Sequence, residues 1–149
     1  MSEPGPMSPE YPLGFSFPYC GTSTSAIDVC SNGFVWLQTG STTSTDFTES
    51  TAELLTLQDR ICAVWDDFNF VTTGTLSFNA LPGKAIVTWA NVPEFGGTNS
   101  NTFQLQLFPT GQFVVSASSL ANLDAIIGYA YATPGAGYVA DLSATPFDT

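Results

Sequence analysis

The chain has 149 residues, 44% of them apolar, and its thirteen acids against two bases leave a formal charge of −11. That length suits one domain with a self-sufficient core. Two bases, Arg60 and Lys84, cannot neutralise a run of phosphates, which argues against nucleic acid or an anionic membrane as partner. With no histidine in the chain, imidazole metal sites and histidine general-base catalysis are excluded, and only 10% charged residues leave the surface to Thr, Ser, Asn and Gln.

Residues 1–12, with Pro4, Pro6, Pro9 and Pro12, read as an extended Pro-rich lead-in, and residues 13–149 as a single domain. The opening has neither the basic nor the apolar region of a signal peptide, and no apolar run reaches the roughly 20 residues of a membrane helix. Leu13–Tyr19 alternates aromatic and small residues and predicts an edge-prone strand. A Gly21–Ser25 loop leads to a second strand at Ala26–Cys30. Asn32-Gly33 then marks a tight turn back through Phe34–Leu37. Gln38–Ser50 reads as a surface loop, and Glu53–Leu57 as the one helical turn, with Ser50 or Thr51 as its N-cap.

Ile61–Trp65 is a further strand, ending in Asp66-Asp67-Phe68-Asn69. From Thr75 to Ser118 apolar residues fall on every second position, and Pro82-Gly83 and Pro109–Gly111 supply turns, so this stretch predicts a meander of antiparallel hairpins. Ala125–Tyr131 gives a last strand, and Val139–Ser143 an edge pairing. The whole predicts an all-β antiparallel sandwich, jelly-roll-like, of about nine strands.

Asp66, Asp67 and Asn69 offer hard oxygen ligands of the kind Ca²⁺ accepts, with Asp124 or Asp141 as a further donor. Against this stands the reading in which Asp66 and Asn69 bond loop backbone. A cofactor other than Ca²⁺ is not expected. A carboxylate pair for glycoside hydrolysis is poorly served by Asp66 and Asp67, since neighbours on a strand point to opposite faces, and would have to be made with Glu94 or Asp141 instead. Serine nucleophiles lack an activating base. Trp36, Trp65 and Trp89 read as core, while Tyr19, Tyr131 and Tyr138 could form an aromatic ligand platform for sugar rings. A Cys20–Cys30 bridge is plausible, with Cys30–Cys62 pairing or three reduced thiols as alternatives.

Leu-Gly-Phe-Ser-Phe-Pro-Tyr-Cys-Gly (13–21), Ile-Asp-Val-Cys-Ser-Asn-Gly-Phe-Val-Trp-Leu (27–37) and Ile-Cys-Ala-Val-Trp-Asp-Asp-Phe-Asn (61–69) are followed by three further segments. These are Ala-Ile-Val-Thr-Trp-Ala-Asn-Val-Pro (85–93), Asn-Thr-Phe-Gln-Leu-Gln-Leu-Phe-Pro-Thr-Gly (101–111) and Ile-Ile-Gly-Tyr (126–129). In this order they resemble the extracellular nidogen-like (NIDO) domain family and its bacterial secreted and cell-surface relatives. The resemblance implies a secreted β-sandwich of adhesion and matrix proteins, with no catalytic residues to carry over, although cysteines at 20, 30 and 62 depart from the pattern. The expected role is a non-enzymatic adhesion or structural module, extracellular or at the cell surface, with a protein or glycan partner. Two alternatives remain: a self-assembling filament or surface-layer subunit using edge strands or the N-terminal arm, and a carbohydrate-binding module of a larger secreted protein.

Overall fold

The computed structural model describes residues 10–39, 46–56, 59–122, 124–131 and 137–144. Residues 1–9 of the Pro-rich lead-in, and with them the expected arm contacts, lie outside these. Ten strands form two antiparallel sheets. The first sheet holds β1 (Tyr11–Tyr19), β2 (Thr22–Cys30), β3 (Phe34–Trp36), β4 (Arg60–Trp65), β9 (Ile126–Ala130) and β10 (Gly137–Asp141), adjacent in that order. The second is the meander β5 (Thr75–Leu81), β6 (Lys84–Val92), β7 (Asn101–Leu107) and β8 (Phe113–Ser119). β4 and β9 are neighbours, so the chain leaves the first sheet after β4, lays down the whole second sheet, and returns to where it left.

Strict alternation builds the space between the sheets. β7 reads buried, half-buried, buried along its length, which turns Phe103, Leu105 and Leu107 inward and Thr102, Gln104 and Gln106 outward. Those side chains meet Leu13, Phe17, Ile27, Val29, Val35 and Ile61 from the first sheet, with Val87 and Trp89 beside them. Trp89 stacks on Phe103 at 5.1 Å between ring centroids and donates its indole N–H to Cys30 O at 3.0 Å, tying the two sheets together. All three tryptophans are buried, as their setting predicted.

The middle strands of the first sheet are buried on both faces, because its outer face carries a second, smaller core. Phe34, Trp36, Cys62, Trp65 and Ile126 lie there under Leu54 of the helix α1 (Thr51–Thr56). Ser50 Oγ accepts from Glu53 N at 3.3 Å, the capping contact expected of it. Into this apolar layer projects Arg60, whose side chain is fully buried. Its guanidinium lies 3.9 Å from the Trp65 ring centroid, 5.0 Å from Trp36 and 5.1 Å from Phe34, and Nη1 donates to Asp46 Oδ2 at 2.8 Å.

Four boundaries differ from expectation by two residues or more, the first being α1, which begins at Thr51 rather than Glu53, with the expected Leu57 outside the described residues. β1 begins at Tyr11, inside the Pro-rich lead-in; Tyr11 pairs with Ile27 and Pro12 with Ala26, tolerable because β1 is an edge strand. β2 begins at Thr22, so most of the Thr/Ser segment read as a loop is strand, consistent with the β propensity of threonine. β10 occupies Gly137–Asp141, two residues earlier than predicted.

The expected Cys20–Cys30 bridge does not form: none of the three cysteines is joined in a disulfide. Cys20 follows β1 beside the start of β2, whereas Cys30 ends β2, roughly 26 Å along an extended strand. Cys30 and Cys62 both flank Phe34, from either side, which sets their backbones about 9.6 Å apart, beyond disulfide reach. Burial pushes both thiols up to about 12.

Candidate functional site

The two crossings between the sheets lie at one end of the sandwich, and they carry most of its unusual chemistry. Asp66 and Asp67 stand on the outgoing crossing, immediately after β4. Asn122 and Asp124 stand on the return, between β8 and β9. Glu94 is the sole acid between Asp67 and Asp124 in the sequence, and it sits in the β6–β7 loop.

Backbone pairing brings these three loops together. Phe68 and Glu94 form an isolated bridge, Asn69 N donates to Pro93 O at 2.9 Å, and Phe95 N donates to Asp67 O at 2.7 Å. A register break between Trp89 and Val92, with Asn91 at φ 54°, bends the end of β6 toward the crossing. The buried Asn101 fastens the return: its Nδ2 donates to Val92 O at 3.1 Å, while its Oδ1 accepts from Ala121 N at 2.7 Å and Asn122 N at 3.3 Å. Below them Asn32 Oδ1 accepts from Phe68 N at 3.1 Å, and Gly33 O accepts from both Ala63 N and Val64 N. Gly33 itself, at φ 83°, sits so close to β4 that a Cβ would fall 1.7 Å from Val64 O.

The result is a convergence of carboxylates. Oxygens of Asp66, Glu94 and Asp124 all lie within 4.8 Å of one another. Asp66 is buried; its Oδ1 accepts from Asp67 N at 2.7 Å and its Oδ2 from Asn122 Nδ2 at 2.6 Å. Asn122 is only 3% exposed, and its carbonyl Oδ1 has no hydrogen-bond partner among the described residues. Burial holds the Asp66 carboxyl above its usual range despite the Asn122 bond, with Asp124 adding to the rise. Glu94 is raised by burial and by Asp66 and Asp124, against the lowering bond to Asn99. Asp67 rises through burial and Asp66, and Glu49 through burial and then the charges of Asp66, Asp124 and Asp67.

Of the three residues expected to ligate a cation, Asp66 is in this cluster and Asp67 lies beside it. Asn69 turns away, its Oδ1 accepting from Val71 N at 2.9 Å in an Asx turn. Glu94 and Asn122 were not anticipated as members. The signal for Glu94 was its isolation within a long acid-free stretch; Asn122 had none, since its role depends on the return crossing.

The tyrosine platform is not a platform. Tyr19 is buried, on the same alternating face as Phe17, and its phenol meets Asp59. Tyr131 packs against Tyr19 at 5.3 Å and Tyr129 at 4.9 Å, and burial pushes its phenol up to about 12. Tyr138, 62% exposed on the edge strand β10, pairs in register with Tyr129 of β9.

A second surface is notable for what it lacks. The outer face of β5–β8 presents Ser77, Thr88, Gln104 and Ser116 in one cross-strand row, and Asn79, Ile86, Gln106 and Val114 in the next. Gln104 Nε2 donates to Thr88 Oγ1 at 2.9 Å. None of these four strands contains an acid. Among the described residues, no strand pairs with the outer edge of β5 or of β8.

A family model described as NIDO related matches residues 4–146, nearly the whole chain. No curated protein and no solved structure matches it.

Proposed function

The chain belongs to the NIDO-related family, and from that premise we propose that it is a structural interaction module of the extracellular space which joins polypeptide partners by strand addition, the first of them a second copy of itself. NIDO domains are typically extracellular and of a non-enzymatic type. The observation that carries the proposal is the pair of unguarded edges on the second sheet. β8 (Phe-Val-Val-Ser-Ala-Ser-Ser) and β5 (Thr-Leu-Ser-Phe-Asn-Ala-Leu) have neither charge nor proline, the devices that ordinarily blunt an exposed edge. The first sheet is treated otherwise: its edge β1 carries Pro12 and Pro18 with a register break between Pro12 and Phe17, and its edge β10 ends in Asp141. An edge left open on one sheet and guarded on the other suits pairing with an incoming strand, whose backbone bonds supply affinity.

The test is native mass by light scattering over a concentration series, for the parent chain and for Val114→Lys combined with Ser116→Lys. Mass should rise with concentration in the parent and stay monomeric in the variant. A parent that is monomeric throughout would overturn self-pairing, and binding to a neutral glycan array would replace it with the carbohydrate-binding reading.

A further inference from the structure

We propose that the end of the sandwich where the chain crosses twice between its sheets is a calcium site, formed by Asp66, Glu94 and Asp124 with the amide oxygen of Asn122. The spacing suits one ion. Calcium takes oxygens at 2.3–2.6 Å, so donors on one ion stand up to about 5 Å apart, and the three carboxylates here lie within 4.8 Å of each other.

Asn122 points to a ligand independently of the carboxylates. Its Nδ2 is held on Asp66 Oδ2, and only that orientation suits the amide, since a carboxylate cannot donate to it. The same contact fixes Oδ1 beside the cluster, buried and without a partner among the described residues. A buried acceptor normally finds a donor. In an acid-rich corner, a cation supplies what no neighbouring side chain does.

The balance of charge agrees. Of the two bases in the chain, Arg60 is paired with Asp46 on the far side of the first sheet, and Lys84 begins β6, whose other end carries this site. Asp67 and Glu49 add further negative charge around the three ligands. Every donor is a hard oxygen, with neither thiol nor imidazole at hand, which selects a hard cation. The donors come from three separate loops, an arrangement that suits the adaptable shell of calcium better than the strict octahedron of magnesium. Asp124 is exposed, so the ion has a way in, while Asn101 and the Phe68–Glu94 bridge hold the loops in place beforehand.

The full chain, stripped with EDTA, is titrated with CaCl₂ or MgCl₂ by calorimetry, and its thermal unfolding is followed in each. We expect one calcium per chain, a higher Tm with calcium and a much smaller response to magnesium. Asp124→Asn and Glu94→Gln should each weaken calcium binding at least about tenfold while raising the Tm in EDTA, because each removes a charge from a repelling cluster. Asp59→Asn, at a carboxylate on the opposite end of β4 from Asp66, should leave calcium affinity unchanged. No heat and no Tm shift at about 10 mM calcium, beyond the weak end of extracellular calcium modules, would overturn the proposal. So would an unchanged calcium response in both variants, or an equal response to magnesium.

Discussion

Each sheet of the sandwich has an outer face, and the two are finished in opposite ways. The face of β2, β3, β4 and β9 is roofed by α1 and packed with Phe34, Trp36, Trp65 and a fully buried arginine. The face of β5–β8 is bare among the described residues: it carries no acid, its one charge is Lys84 at the start of β6, and most of its side chains are Thr, Ser, Gln and Asn. The roofed face takes on a buried charge and must satisfy it with Asp46 and three aromatic rings. The bare face avoids that demand by carrying mostly Thr, Gln and Ser. In this chain, specificity of fold is invested in one face and accessibility in the other.

Removing the charge from the roofed face should break it most severely. Arg60→Ala leaves Asp46 unpaired and a hollow among the rings, and should cost about 3–5 kcal/mol of stability, measured by urea unfolding. Arg60→Met combined with Asp46→Leu fills the same volume without charge and should recover most of that loss.

Alkali should attack the same face by a different route. Cys30 and Cys62 titrate at 9.0 when exposed but at about 12 when folded. Between those values the folded chain holds protons that the unfolded chain has released, so stability falls as pH rises, by about 1.4 kcal/mol per pH unit for each thiol. Tyr131, also raised, acts in the same direction. Thiol labelling at pH 8 should accordingly reach Cys20 alone until the chain unfolds. If Cys30 labels as fast as Cys20, the roof opens in the native state.

The bare face should hardly register its own substitutions. Thr88→Glu or Gln104→Glu should shift stability by no more than about 0.5 kcal/mol, read by thermal unfolding in EDTA. A larger loss would mean that the face is covered after all.

The meander was readable because every signal within it agreed: alternation set the faces, and Gly83 and Gly111, both at φ near 80°, close the turns where proline and glycine stood. Gly33 was equally plain as a turn residue, although nothing local announced that its backbone would rest against β4. Sequence proximity misled for the cysteines, since ten residues of hairpin carry Cys20 and Cys30 to opposite ends of one strand. The acidic end was half visible. Asp66, Asp67 and Asp124 marked it, but Glu94 reaches it through the Phe68–Glu94 bridge, and Asn122 only because the chain returns to β4 after building an entire second sheet.

That second sheet has four strands, each antiparallel to the next, so β5 and β8 run in opposite directions. A copy displaced by translation alone would set its β5 antiparallel beside the β8 of its neighbour, with no rotation needed. With three or five strands the outermost would be parallel to each other, and the same displacement would yield a parallel seam. A row built on four repeats head to tail. Such a row would have two unlike ends, one showing β5 and the other β8, and therefore a polarity: growth and capping at its two tips would be chemically separate events.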